Sequence, residues 1–180
     1  MKKLLFKHVS PYMPYKMQFK VFDSPPDVMT GLGFTFNKEP IVYYNFRRSV
    51  GRSYLDVIKP LLIPLSEVTK KQWMQVFKAG IDDVVQEVID QYFKPEIRIN
   101  KSIIYYYNAN KASGFRMPEE SLFVINLDPL QFSAGYNLTT KSNSSYRFHQ
   151  LKAIDEMNLL HIDYMGLIDA GLALNKNDYK

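Results

Sequence analysis

Residues 81–92 read IDDVVQEVIDQY, and this stretch decides the fold class. Its apolar residues recur at the i, i+3, i+4, i+7, i+8 and i+11 spacing of one helix face: Ile81, Val84, Val85, Val88, Ile89 and Tyr92. Its acidic residues Asp83, Glu87 and Asp90 fall on the opposite face, which we interpret as a solvated surface and not as a metal or acid–base site. The spacing predicts an amphipathic helix that ends before Lys94-Pro95, because the residue before a proline disfavours helical backbone.

A second helix is predicted immediately before this stretch. Ser66 is its expected N-cap, Trp73, Val76 and Phe77 lie on one side, and Gly80 breaks the pattern. The C-terminal region is predicted to be helical again from about residue 146. Its expected buried stripe extends past residue 160 and is formed by Leu151, Ile154, Met157, His161, Met165 and Ile168.

Short runs rich in β-branched and aromatic residues lie on both sides of the central helices. They predict strands at 16–22, 31–36 and 41–46 before the helices, and at 102–107, 122–127 and 131–136 after them, the last two as a hairpin. Residues 57–65 contain Pro60 and Pro64, so we expect an edge or a buried crossing segment there and not a central strand. Runs of strands and helices without strict βαβ alternation predict an α+β fold: a small mixed or antiparallel sheet packed against two central helices and a C-terminal helix. We expect one globular domain over residues 1–180.

The composition narrows the class of protein. The chain has 180 residues, no cysteine and 46% hydrophobic residues, which suffices for a core and leaves no disulfide framework or thiolate metal site. Lys7 interrupts the N-terminal apolar residues after only three positions, and no run reaches the length of a membrane span. We therefore expect a cytoplasmic protein that does not enter a membrane.

The motifs of common catalytic and cofactor sites are missing. No phosphate-binding loop, H-E-x-x-H or G-x-S-x-G sequence occurs, and the three histidines are scattered. The pair His161 and Asp163 is two positions apart, a spacing that does not share a helix face, so a structural role is expected for it. Gly31 and Gly33 in TGLGF are expected to mark a turn or bulge. The sequence thus predicts no enzyme activity, no cofactor and no metal site.

Basic residues are concentrated in the first third of the chain. Residues 1–60 contain ten Lys or Arg and four Asp or Glu, within a net charge of +5. The segment YYNFRR at 43–48 interleaves aromatic residues with arginines, a composition typical of proteins that stack bases and neutralise phosphates. The candidate binding residues are Arg47, Arg48, Arg52, Lys16, Lys20, Tyr43 and Tyr44. The alternative is a strand whose aromatic residues belong to the core, with basic residues that only keep the protein soluble.

Three segments carry a family resemblance: PYMPY at 11–15, IKPLLIPLSEVTK at 58–70 and LHIDYMGLIDAGLA at 160–173. In this order they resemble a family of small hypothetical proteins from phages and prophages of Bacteroidetes bacteria. Met17, Gln18, Ile63 and Leu160 depart from the family pattern. The family has no assigned activity, so the resemblance implies an origin in a mobile genetic element and transfers no site residues.

Small accessory proteins of such elements are mostly stoichiometric binders. We therefore expect a non-catalytic, cytoplasmic anti-defence inhibitor of the anti-CRISPR type, which binds a host nucleic-acid-guided nuclease through a basic surface. The expected partner is a host defence protein complex or nucleic acid. The alternatives are a single-stranded nucleic-acid-binding protein and a virion structural component.

Overall fold

The structure is a computed structural model that describes residues 3–21, 25–46, 49–81, 95–99, 102–107, 120–127, 130–134, 136–137, 142–143 and 148–179. Strands and helices follow one another in separate runs along the chain, and one of the sheets is mixed, so the predicted α+β class is confirmed. The chain forms two compact units. The first combines Met1–Glu67 with Met157–Lys180, and the second is Val68–Glu156.

The first unit is built on a mixed sheet. It begins with helix α1 (Phe6–Val9) and a 3₁₀ turn (Ser10–Tyr15) that contains the PYMPY segment. The strands are β1 (Gln18–Val21), β2 (Asp27–Phe34), β3 (Pro40–Phe46), β4 (Ser49–Tyr54), β5 (Ile58–Pro64), β12 (Ile162–Asp163) and β13 (Leu174–Asn175). Their order is β12-β5-β1-β2-β3-β4, with β13 also paired to β5. The strands predicted at 16–22, 31–36 and 41–46 are therefore present, within a few residues of their expected limits.

The prediction for residues 57–65 is wrong, because β5 is an inner strand. It pairs antiparallel with β1 through Ile58–Pro60, and parallel with β12 and β13 through Leu61–Pro64. Pro60 and Pro64 have the same parity along the strand, so both missing N–H groups lie along one edge. The N–H of Ile63 points to the other edge and donates to the carbonyl of His161 over 2.8 Å.

The core of the first unit lies on one face of this sheet. Twelve buried side chains form it, from the N-terminal turns, from β1 to β5 and from the C-terminal segment: Leu4, Val9, Tyr12, Met17, Phe19, Met29, Val42, Leu55, Ile58, Leu62, Leu167 and Ala173. Residues far apart in sequence thus share one apolar cluster.

The second unit contains helix α2 (Lys70–Gly80), which packs on β6 (Pro95–Ile99) and β7 (Ser102–Tyr107). β8 (Glu120–Leu127) and β9 (Leu130–Ala134) complete an antiparallel sheet in the order β6-β7-β8-β9, and β10 (Tyr136–Asn137) pairs with β11 (Ser142–Asn143). The hairpin of the last two predicted strands is confirmed, with Leu127 opposite Leu130. Strand β6 was not predicted.

Helix α2 begins later than the sequence predicted. Thr69 is the N-cap, its hydroxyl accepts from the N–H of Gln72, and the Gln72 side chain returns to the Thr69 backbone. This reciprocal capping box stabilises the start better than Ser66 could, which lies in a short 3₁₀ turn. Trp73, Val76 and Phe77 are buried and the helix ends at Gly80, as predicted.

The helix predicted over 81–92 lies outside the described residues except at its first position. Ile81 is buried and forms an isolated antiparallel bridge with Phe148. The predicted orientation of Asp83, Glu87 and Asp90 therefore stays a prediction.

The prediction of a long C-terminal helix is wrong beyond residue 159. Helix α3 (Gln150–Leu159) buries Ala153 and Met157, but Leu151 is 82% exposed and does not belong to the buried stripe. The chain then turns at His161, whose φ of +58° is the left-handed conformation that commonly follows a helix end. β12, β13 and a final 3₁₀ turn (Lys176–Tyr179) replace the expected helix.

The single domain predicted over residues 1–180 stays a prediction. In the described part of the chain, no helix combines the length and the apolar character that crossing a membrane requires.

Candidate functional site

The two tyrosines of the YYNFRR segment lie on opposite faces of strand β3. Tyr44 faces the core, where its ring meets that of Phe19 edge-on at 5.3 Å between centroids. Tyr43 points to the outer face, since successive side chains of a strand alternate. Tyr44 thus follows the core alternative for this segment, and Tyr43 is available to a surface site.

The structure brings Tyr43 and Arg52 together. They are direct cross-strand partners between β3 and β4, so their Cβ atoms are about 5 Å apart on the same face. The Tyr43 ring lies along β2 beside Gly31 and Gly33, where a Cβ at position 33 would come within 2.9 Å of the ring. The absence of a side chain at Gly33 therefore leaves room for the Tyr43 ring. The pairing register of β2 with β3 shifts between Met29 and Gly31, at one of the two glycines where a turn or bulge was expected.

Tyr43 and Arg52 line a depression of about 530 Å³ on the first unit. We call it the aromatic groove, and the residues that define it are Phe34, Phe36, Ile41, Tyr43, Arg52 and Tyr54. Thr35 and Ser53 complete its lining. Four of its eight lining residues are aromatic, and Arg52 is the one charged residue in that set.

The turn between β2 and β3 displays Phe36 at the rim of the groove. The N–H of Lys38 donates to the carbonyl of Thr35, the N–H of Thr35 to the carbonyl of Glu39, and the N–H of Glu39 to the hydroxyl of Thr35. These bonds hold the turn in shape while the Phe36 side chain is fully exposed. A phenylalanine in water on a hydrogen-bonded turn forgoes the roughly 1.5–3 kcal/mol that burial of its ring would contribute.

Other apolar rings extend this exposed surface. Phe34 is 58% exposed and stacks on Phe6 of α1, with 5.3 Å between ring centroids and 16° between ring planes. Tyr54 is 49% exposed. Contiguous exposed apolar surface of this kind marks an interaction site, whereas single exposed apolar residues do not.

The groove lining carries one cationic side chain, that of Arg52. Arg52 is exposed, and no described residue forms an ion pair or hydrogen bond with its guanidinium group. The acidic residues Glu39 and Asp56 line a second depression of about 250 Å³, which also contains Lys3 and shares Tyr54 with the groove. Arg52 can therefore pair with an anionic group of a ligand.

Two other candidate residues lie elsewhere in the first unit. Lys20 is on the outer face of β1, with its Nζ 4.4 Å from the centroid of the Tyr179 ring. β1 and β4 are separated by β2 and β3, so Lys20 and Arg52 are about three strand spacings, or about 14 Å, apart across the sheet. Lys16 is exposed after the 3₁₀ turn, with a φ of +54°.

Arg47 and Arg48 lie outside the described residues. The single basic surface expected from Arg47, Arg48 and Arg52 together with exposed lysines of the N-terminal region, among them Lys16 and Lys20, stays a prediction.

The sequence analysis did not identify three of the residues that line the groove: Phe34, Phe36 and Tyr54. Phe36 is the last residue of the strand predicted at 31–36 and precedes Asn37-Lys38, a polar pair typical of a turn. A phenylalanine beside such a turn is a signal that could have indicated a displayed side chain.

The three segments that carry the family resemblance meet at a second place in the first unit. The hydroxyl of Tyr12 donates to the carbonyl of Ile162 over 3.0 Å, and the N–H of Ile63 donates to the carbonyl of His161. We call this place the motif junction, defined by Tyr12, Tyr15, Ile63, His161 and Asp163. It links residues that are 98 to 150 positions apart. The pKa of Tyr12 is raised above its usual value, mainly because the hydroxyl is buried. The nearby Tyr164 and Asp163 side chains raise this pKa further.

His161 is held through both ring nitrogens. Nε2 lies 3.0 Å from the carbonyl oxygen of Tyr15, and Nδ1 lies 2.8 Å from Nζ of Lys176. A carbonyl can only accept and an ammonium can only donate, so the neutral tautomer with hydrogen on Nε2 satisfies both contacts. Because neither nitrogen is left for a substrate, the geometry supports the structural role expected for this histidine.

Acidification is expected to destabilise the protein through His161. Burial lowers the pKa of His161 below its usual 6.5, and the charge of Lys176 lowers it further. As the pH falls through 6.5 the unfolded chain binds this proton first, so stability declines by up to about 1.4 kcal/mol per pH unit until the folded pKa is reached. The urea concentration at the midpoint of unfolding should therefore decrease when the pH is lowered from 7.5 to 5.5.

NMR titration of the ring protons of His161 checks the cause directly. Lys176→Met removes the neighbouring positive charge and should move the His161 pKa upward, while the histidine itself stays in place. A His161 resonance that titrates at or above 6.5 in the unaltered protein would contradict the assignment.

The described residues contain no group of three or more His, Asp or Glu side chains arranged to hold a metal ion. A comparison of the chain with protein-family models, with curated proteins and with solved structures found no match.

Proposed function

We propose that this protein is a non-catalytic inhibitor of host defence, carried by a phage or prophage, that binds a nucleic-acid-guided nuclease of the CRISPR type in the host cytoplasm. The observation that carries the proposal is the aromatic groove, with its exposed rings around an arginine. Tyrosine, other aromatic residues and arginine are enriched where proteins bind one another tightly.

Charge and family resemblance support the same proposal. A guided nuclease offers acidic protein surface and exposed guide RNA, and both are complementary to a chain with a net charge of +5. The resemblance of segments 11–15, 58–70 and 160–173 to phage and prophage proteins supports a mobile element as the origin. Stoichiometric binding requires no catalytic group, which agrees with the structural use of His161.

A reconstituted cleavage assay tests the proposal. Guided nuclease complexes from Bacteroidetes hosts are mixed with increasing amounts of the protein, and target cleavage should stop at about one protein per complex. The double variant Phe36→Ser with Arg52→Glu should weaken inhibition by about 30-fold or more, the loss typical of interface hot spots. Its melting temperature should stay close to that of the unaltered protein, since both side chains are exposed.

Lys152→Glu is the matched control, because it reverses an exposed charge on α3, a helix that contributes no residue to the groove. It should inhibit as well as the unaltered protein. Equal loss in both variants would show that only overall charge matters and would contradict the groove. If no guided nuclease is inhibited while free single strands bind with strong salt dependence, the single-stranded nucleic-acid-binding protein is the correct function instead.

A further inference from the structure

We infer that the aromatic groove binds one unpaired nucleotide, with its base stacked on the groove's rings and its phosphate paired with Arg52. This inference rests on the proposed function, in which the guide RNA of the nuclease supplies the nucleotide. It identifies the chemistry that the groove itself recognises.

The volume and shape of the groove suit a ligand of this size. Its 530 Å³ lies within the roughly 300–1,000 Å³ of sites that hold a small molecule. An unpaired base and its sugar-phosphate are small enough to enter.

The side chains match the two parts of a nucleotide. Phe36 and Tyr54 expose aromatic rings at the groove, and every base has a π-face that can stack on such a ring. Arg52 presents a planar guanidinium group that pairs bidentately with a phosphate. Tyr43 is the direct cross-strand partner of Arg52, and its ring lies beside Gly33.

The position on the sheet adds to this match. Tyr43 and Arg52 stand side by side on the outer face of β3 and β4, so a base and its own phosphate can reach both at once. Rigid strands and a hydrogen-bonded turn fix these groups before a ligand arrives, which reduces the entropy lost on binding.

Short fluorescent oligonucleotides test the inference. Single strands that carry 2-aminopurine are titrated with the protein, as RNA and as DNA, beside a duplex of the same sequence. Single strands should bind with a change in base fluorescence, and the duplex should bind much more weakly. Comparison of RNA with DNA shows which nucleic acid supplies the ligand.

Two variants separate stacking from charge. Phe36→Ala should weaken single-strand binding by about 5–100-fold, as loss of one base–aromatic stack does, and should leave the salt dependence unchanged. Arg52→Gln should reduce the slope of log affinity against log salt by about one, as loss of one phosphate contact does. Lys152→Gln is the control and should leave the base fluorescence signal and the affinity unchanged.

The inference and the proposed function can fail separately. If the protein inhibits a nuclease through the groove but no oligonucleotide binds, the groove contacts protein, and the inference is wrong. If single strands bind through Phe36 and Arg52 but no nuclease is inhibited, the inference holds and the proposed function is wrong. Duplex binding as tight as single-strand binding would also overturn the inference.

Discussion

Replacement of Asp163 by alanine is expected to lower the free energy of unfolding by about 3–5 kcal/mol. The side chain of Asp163 is only 4% exposed, and its two oxygens accept from the N–H groups of Leu167 and Ile168 over 2.8 and 2.7 Å. Each hydrogen bond to a charged acceptor contributes about 1.5–3 kcal/mol, and alanine would leave both donors without this partner. Urea unfolding followed by far-UV circular dichroism measures the loss.

Two further variants control this prediction. Asp163→Asn keeps one acceptor oxygen and should recover part of the stability. Asp169→Ala removes an exposed carboxylate from the same turn region and should change stability by no more than about 0.5 kcal/mol. Equal losses at positions 163 and 169 would show that the two N–H bonds are not what makes Asp163 important.

Local sequence patterns predicted elements that form from neighbouring residues. The β-branched and aromatic runs gave β3 and β7 almost to the residue, and the apolar spacing of Trp73, Val76 and Phe77 gave the buried side of α2. In these segments intrinsic preference and burial favour the same structure, so pattern alone is sufficient.

Long-range pairing explains the elements that were predicted wrongly. Pro60 and Pro64 argued against an inner strand at 58–64, yet this strand is paired on both edges. Both prolines lack their N–H group on the same edge, so the N–H groups on the other edge remain available for pairing with β12 and β13. Those two partners come about one hundred residues later in the chain. The same contacts end the C-terminal helix, since His161 is fixed by Tyr15, Ile63 and Lys176. No local periodicity carries this information.

The candidate site was only partly accessible to sequence reading for the same reason. Alternation along a strand at 41–46 is enough to place Tyr43 and Tyr44 on opposite faces, and the structure has Tyr44 at the core. The pairing of Tyr43 with Arg52 depends on the register between two strands, and the inclusion of Phe36 depends on how a turn folds back. A cluster of basic residues in sequence indicates a region of the chain, while strand register selects which of them can share a site.

Truncation of Phe77 to alanine is expected to destabilise the second unit by about 3–5 kcal/mol, the cost of a large aromatic side chain lost from a packed core. Phe77 is fully buried in α2, and its ring centroid lies 6.1 Å from that of Phe148. Trp73 is the only tryptophan of the chain and precedes Phe77 by one helical turn, so its fluorescence reports this unfolding directly.

Gln75→Ala is the control for this experiment, because Gln75 is exposed on the same helix and alanine is a good helix former. Its free energy of unfolding, followed by fluorescence, should stay within about 0.5 kcal/mol of that of the unaltered protein. A loss of stability equal to that of Phe77→Ala would contradict the role of the buried ring.

The prediction of a single domain over residues 1–180 can be tested with the same fluorescence signal. Because one domain unfolds in one transition, Trp73 fluorescence should then also report the loss of stability caused by Asp163→Ala. If the fluorescence midpoint responds to Phe77→Ala and ignores Asp163→Ala, the two units unfold independently and the single-domain prediction is wrong.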